Sequence, residues 1–314
     1  MSRAVQLDGY GDIDMLRVRE VPVRAAGPDE VVVDVRAAGI NPGEAAIRKG
    51  LRPSDEPPTF PMGEGSDLAG VVAEVGASVT SVAVGDEVMG WSWERSSHAE
   101  RCVVPAAQLI PKPATLSWEV AGSLYVVGVT AYAAVRAVAA GPGDTVAVSA
   151  AAGGVGAVTV QLLMARGAQV VAIASEGNHD WLRNKGATPV TYDPAGARPG
   201  GDGLADRLRA AAPQGIDAFI DLFGPEYVHL AVELGIDRDR IETIISFAAA
   251  EELGTKAEGS VTATTPEILS EMADLVASGQ IEVPSAATYP LEEVRAAYAE
   301  LDRRHTRGKI VLIP

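Results

Sequence analysis

Ala150, Gly153 and Gly156, in the spacing A-x-x-G-x-x-G, are the residues of this 314-residue sequence best placed to do chemistry. An apolar run, Val146 to Ser149, precedes them and reads as a buried parallel strand. A helical run, Val155 to Arg166, follows. Strand, glycine turn and helix in that order form the context a dinucleotide requires. Gly153, with Gly154 and Val155 beside it, lets the backbone approach a pyrophosphate, and Gly156 lets the helix pack close to the strand. The first N–H groups of the helix then face the phosphates with the positive end of the helix dipole. The spacing predicts a bound dinucleotide.

Other residues indicate which dinucleotide. An NAD enzyme places an acidic residue at the end of the second strand, about 20 residues past the glycines, against the ribose 2′-hydroxyl. Here that strand ends Ile173-Ala-Ser175, with no carboxylate at its tip. Ser175, Asn178, His179 and Arg183 offer a hydroxyl, an amide, an imidazole and a guanidinium to a 2′-phosphate. This favours NADPH over NADH. Glu176 is the counter-evidence, since it could serve NADH if it pointed inward. Further along, Leu222-Phe223-Gly224 and Ser246-Phe247-Ala248 end two successive strands. The carboxyl ends of strands face the ligand in a doubly wound sheet. Phe223, Gly224, Ser246 and Phe247 are therefore expected beside the nicotinamide ribose and carboxamide.

No metal site is expected. The four histidines, at 98, 179, 229 and 305, show no ligand spacing, and Cys102 is the only cysteine. Cys102 reads as a buried, inert thiol. Trp91 and Trp93 are costly to expose, so they are either packed or lining a pocket. Glu64 and Asp67 read as acids that structure a turn.

The elements that must position these residues fall into two groups. Up to about Ala114 the chain reads as short strands (4–7, 31–37, 70–75, 87–90 and 99–104) separated by Gly/Pro turns, a small β-rich unit. From Ser117, a plausible helix N-cap, a helical run leads into alternating strands (145–149, 169–174, 189–192, 218–221 and 242–246) and helices (155–166, 179–185, 203–212 and 226–234). Such alternation implies a parallel sheet covered on both faces. Two helices, 266–278 and 291–302, and a strand, 309–313, close the chain. The terminal strand is expected to rejoin the first unit, because a lone strand needs a sheet.

Length suits two domains, and 47% hydrophobic with 22% charged residues is the balance of a globular protein. The formal charge of −16 argues against nucleic acid and against anionic membrane surfaces. An anionic cofactor must then be held locally, against the net field. The N-terminus has no signal-peptide core and no apolar run is long enough for a span, so with one cysteine a reduced, cytoplasmic setting is expected.

Six segments in order give a resemblance over essentially the whole length. They are Ala38-Gly-Ile-Asn-Pro, Pro61-Met-Gly-Glu-Gly-Ser-Asp-Leu-Ala-Gly-Val-Val, Val84-Gly-Asp-Glu-Val, Gly128-Val-Thr-Ala-Tyr, Ala150-Ala-Ala-Gly-Gly-Val-Gly and His305-Thr-Arg-Gly-Lys-Ile-Val. The chain resembles the medium-chain dehydrogenase/reductase superfamily, in its zinc-independent quinone oxidoreductase branch. The resemblance implies an α/β fold, with a doubly wound parallel Rossmann sheet (117–262) inserted into a GroES-like β-barrel domain (1–116 plus 263–314) and the cofactor between the two. It implies no zinc: where the alcohol dehydrogenases carry a Cys and a Gly-His-Glu motif, this chain has Asn41 and Gly63-Glu64. Without a Lewis acid, conjugated acceptors suit best, because quinones and α,β-unsaturated carbonyls spread the incoming charge onto an oxygen.

The resemblance also assigns residues. Asn41 would lie near nicotinamide and the substrate oxygen, the other reading being that of an Asn before Pro in a turn. Thr130 would place a hydroxyl by the nicotinamide, although a helix Thr also bonds its own i−4 carbonyl. Tyr192 would stack near the adenosine phosphate. Arg307 and Lys309 would clamp the cofactor phosphates, Lys309 reading equally as a charge before a terminal strand. Ala46 and Arg52 stand where bacterial members often carry pocket tyrosines; their loss should open the site, and Arg52 could bind an anionic or carbonyl-bearing substrate or be a solvated charge. The implied activity is NADPH-dependent reduction of a quinone or enone by a homodimer. Its rivals are an enoyl reductase acting on a polyketide-like or acyl intermediate, and a non-catalytic NADPH-binding protein.

Overall fold

A computed structural model describes residues 1–51, 59–192 and 203–314. They form two compact units, one of Val127–Thr264 with Gly279–Glu282, the other of Met1–Val126, Thr265–Ser278 and Val283–Pro314.

The first of these is a doubly wound unit. Its five strands run parallel in the order Thr188–Thr191, Gln169–Ala174, Thr145–Val148, Ala218–Asp221, Ile241–Thr243. The central strands Thr145–Val148 and Ala218–Asp221 are buried at every residue. That is why they read as continuous apolar runs rather than alternating ones. Phe219, Tyr227, Val228 and Ile241 pack with Leu204 and Leu208 in one core. The helix Gly154–Ala165 is buried continuously from Gly156 to Leu163. It is apolar on nearly every face because protein, not water, surrounds it, and its two polar side chains, Thr159 and Gln161, bond the carbonyls of Val155 and Ala157 one turn back. The last strand ends at Thr243, three residues before the expected end. Its hydroxyl accepts from the N–H groups of Ile245 and Ser246, which turns the chain out of the sheet.

The other unit is β-rich. A seven-stranded sheet has the order Ser285–Pro290, Lys309–Ile313, Glu30–Gly39, Asp67–Val75, Glu87–Trp91, Leu109–Pro111, with Arg101–Pro105 paired to Glu30–Gly39. Arg17–Val21, Ser2–Leu7 and Met62–Gly63 form a three-stranded sheet. The C-terminal strand rejoins this unit as expected, antiparallel to Glu30–Gly39. The helical run after Ser117 is two helices, Trp118–Ala121 and Leu124–Ala137. Gly122 separates them because a Cβ there would lie 2.3 Å from the carbonyl oxygen of Ala37. The strands Arg17–Val21 and Ser285–Pro290 escape the sequence reading; neither has a fully buried residue or an apolar run.

Candidate active site

The glycine turn has the geometry of a phosphate cradle. Ala150 takes a left-handed φ of 46° and so turns the chain sharply after the first strand. Gly153 is extended and caps the helix Gly154–Ala165. A Cβ on Gly153 would meet only the Ala150 carbonyl, at 3.3 Å, so the space above it is open. A Cβ on Gly156 would lie 2.2 Å from that same oxygen. Gly156 thus serves packing, whereas Gly153 leaves room for something outside the chain. The first-turn N–H groups of Gly154, Val155 and Gly156 have no acceptor within the helix. A dinucleotide pyrophosphate fits this set of donors.

At the end of the second strand, Ser175 and Asn178 lie together, with Asn178 Nδ2 donating to Ser175 Oγ at 3.0 Å. The other two candidates for a 2′-phosphate are placed differently. His179 is buried, its Nε2 3.4 Å from both the Ala174 carbonyl and Thr191 Oγ1. Arg183 is exposed and pairs with Asp180 at 2.8 Å. Glu176 is exposed. Arg207, which no motif or spacing singles out, donates to the carbonyls of Thr191 and Tyr192 at 3.1 and 2.9 Å. It brings a cation to the end of the strand that Tyr192 follows. Phe223 packs edge-on to Tyr227, Gly224 and Ser246 are buried, and Phe247 is exposed. Thr130 is buried on the helix Leu124–Ala137.

In the β-rich unit, Asn41 begins the helix Pro42–Arg48 and is 3% exposed. Its amide is saturated. Nδ2 donates to Glu44 Oε1 and Asp67 Oδ2, both at 3.1 Å, and Oδ1 accepts from Lys309 Nζ at 2.5 Å. Lys309 is buried, and Nζ also donates to Asp67 Oδ2 and the Ile40 carbonyl, each at 3.0 Å. An ammonium has three protons, and these three acceptors take them all. The phosphate clamp expected of Lys309 therefore meets a side chain already committed within its own unit, while Arg307 is exposed. Asp67 is the residue that reading the turn alone undervalued. Besides Lys309 and Asn41, it accepts from the N–H of Val126 at 2.7 Å. A Cβ on Gly39 would lie 2.7 Å from Asp67 Oδ2, so a glycine is needed for this approach.

Behind it, Glu44 accepts from the N–H groups of Asn41 and Ser66 and from the Tyr298 hydroxyl, each at 2.8 Å. Glu64 faces Arg48 instead, in a fully buried ion pair at 2.5 Å, with Arg48 lying 4.4 Å over the Tyr298 ring. It is Asp67, not Glu64, that meets Asn41. His98 is buried with Nε2 3.2 Å from the Gly39 carbonyl, and burial lowers its pKa, so it is a neutral donor there.

The tryptophans divide. Trp91 is 3% exposed and stacks on Tyr125 at 5.0 Å, a packed ring. Trp93 is 54% exposed, so of the two expected roles it does not take the packed one. Ala46 is half-buried, and Arg52 lies outside the described residues. Cys102 is buried and its thiol is pushed up to about 11 by burial, so it is no nucleophile. Among the described residues no three His, Cys, Asp or Glu side chains are grouped to hold a metal, and no helix is long and apolar enough to cross a membrane.

Comparison with known proteins adds to this geometry. Residues 27–114 match the model of the alcohol dehydrogenase GroES-like domain, and residues 195–312 that of the zinc-binding dehydrogenases. A quinone oxidoreductase of Pseudomonas aeruginosa is 30% identical over 344 aligned positions that span all of both chains. The solved quinone oxidoreductase of Coxiella burnetii superposes with a TM-score of 0.86 at 26% identity, covering 100% of this chain and 99% of the other. That of Escherichia coli, solved with NADPH, gives 0.86 at 24% identity over 99% and 100%, a likeness of fold.

Proposed function

The chain belongs to the medium-chain dehydrogenase/reductase superfamily, in its quinone oxidoreductase branch, and from that premise we propose that it passes hydride from NADPH to a quinone or an α,β-unsaturated carbonyl compound without zinc. The observation that carries the reading is the open space over Gly153 at the start of a buried helix. Backbone there is arranged for a ligand rather than for packing. NADPH is preferred to NADH because Ser175 and Asn178, not a carboxylate, stand at the end of the second strand. Arg207 adds a cation near Tyr192.

The zinc-free part of the reading is supported by Lys309. Its ammonium lies against Asn41 and Asp67, so a divalent cation brought to Asn41 would meet a fixed like charge. Hydride transfer is the chemistry that the cofactor supplies when bound. The backbone N–H groups of Gly154 and Val155 bind its phosphates, Gly224 and Ser246 flank its nicotinamide half, and the Thr130 hydroxyl is assigned to the oxygen on which charge develops. Asn41, with both amide protons engaged, is assigned to holding its wall in place through Lys309 and Asp67.

The test follows absorbance of NADPH and NADH with a panel of quinones, free enones and thioester enones. The expected result is turnover of quinones or free enones with NADPH favoured. Turnover confined to thioester enones would move the assignment to an enoyl reductase. Tight NADPH binding with no turnover of any acceptor would overturn the enzymatic reading.

A further inference from the structure

Asp221 ends the strand Ala218–Asp221 and is fully buried. Five donors converge on its carboxylate, all of them neutral. Oδ1 accepts from Ser149 Oγ at 2.9 Å and from the N–H groups of Phe223 and Gly224 at 2.9 and 3.1 Å. Oδ2 accepts from Thr243 Oγ1 at 2.7 Å and Ser246 Oγ at 3.0 Å. Two of the hydroxyls pass the constraint on. Ser149 Oγ accepts from the Leu222 N–H at 2.8 Å, and Thr243 Oγ1 accepts from the Ser246 N–H at 3.0 Å. One carboxylate thus fixes two loops, Leu222–Gly224 and Ile244–Ser246, and ties them to the residue that enters the glycine turn. This is possible because Ala218–Asp221 lies between Thr145–Val148 and Ile241–Thr243 in the sheet. A buried charge satisfied by a closed set of hydrogen bonds rigidifies its surroundings. The place it rigidifies is the carboxyl edge of the parallel strands, where doubly wound sheets bind their ligands.

We propose that Asp221 is a positioning residue for the nicotinamide half of the cofactor, acting through the backbone of Phe223–Gly224 and Ser246 rather than by contact. The proposal rests on the NADPH reading above. The adenosine half binds at another part of the sheet edge, around Ser175 and Asn178, and does not depend on this carboxylate.

Asp221→Asn keeps the volume, loses one acceptor and presents two protons to a shell made of donors. Calorimetric titration with NADPH and with 2′,5′-ADP, which carries only the adenosine half, separates positioning from general damage. For Asp221→Asn the NADPH dissociation constant should rise by about tenfold or more, the effect of one or two lost hydrogen bonds. That for 2′,5′-ADP should stay within about twofold. Thr243→Val, which removes one hydroxyl from the shell at constant shape, should act in the same direction with a smaller effect and decides the matter if Asp221→Asn does not fold. Equal losses for both ligands, or no loss for either, would overturn the proposal alone. A wild-type chain that binds neither ligand would overturn the NADPH reading first and this proposal with it.

Discussion

Gly153 and Gly156 stand three residues apart and answer to different constraints. At Gly156 a Cβ would lie 2.2 Å from the backbone oxygen of Ala150, and at Gly153 the nearest atom is 3.3 Å away. Gly156→Ala should therefore cost about 2 kcal/mol of stability through overpacking against rigid backbone. Gly153→Ala should cost less, about 1 kcal/mol or under, and yet weaken NADPH about tenfold, because its methyl enters the space assigned above to the cofactor phosphates. Chemical denaturation and NADPH titration of the two variants check this; equal stability losses would remove the distinction. The two glycines are legible in the sequence because both roles are local. Asn41 is legible as a residue of interest, but its saturation by Lys309, Asp67 and Glu44 is not. Those partners lie 268, 26 and 3 positions away, and only folding brings the first two to it. The same holds for Asp67 against Glu64: two acids three residues apart in one segment, of which one meets Lys309 and the other Arg48.

Among elements, the short strand Ile241–Thr243 at the sheet edge buries a carboxyl group. Glu242 is 0% exposed; its Oε1 accepts from the Glu258 N–H at 2.8 Å, while among the described residues Oε2 has no partner. Burial pushes its pKa from 4.5 up to about 7. Between those values the folded chain keeps a proton that the unfolded chain has lost, so stability falls as pH rises through this window and levels off above it. The loss amounts to ~3 kcal/mol at full effect. Glu242→Gln mimics the protonated form and should be the more stable protein at pH 8 by about that amount, with little difference at pH 4.5. Denaturation midpoints at the two pH values check it, and parallel pH profiles for both proteins would exclude the assignment. The helix and strand pattern of this unit was readable because its central strands and its first helix are mostly apolar and buried. The end of the last strand was not, since the side chain of Thr243 decides it.

At the scale of the whole molecule, a formal charge of −16 opposes the approach of an anionic cofactor. Affinity must then come from short-range donors such as the first-turn N–H groups of the helix Gly154–Ala165. The repulsion is long-ranged and screened by salt, with a Debye length near 30 Å at 0.01 M and about 8 Å at 0.15 M. The association rate of NADPH should accordingly rise severalfold between those ionic strengths. Stopped-flow mixing measures it; a rate that falls with salt would mean that a local basic patch outweighs the net field.

What the sequence by itself determined is the alternation of strands and helices that follows Ser117, the two-part α/β architecture and the glycine turn. Each of these is written in short windows of chain, where periodicity, turn residues and the spacing of three small residues suffice. Only the tertiary structure decided which charged groups are spent on one another. Lys309 turns inward to Asn41 and Asp67, and Asp221 gathers donors at the ends of three strands. Pairings of that kind depend on the register of strands distant in sequence and on burial, which makes an unpaired charge too costly to leave unmatched.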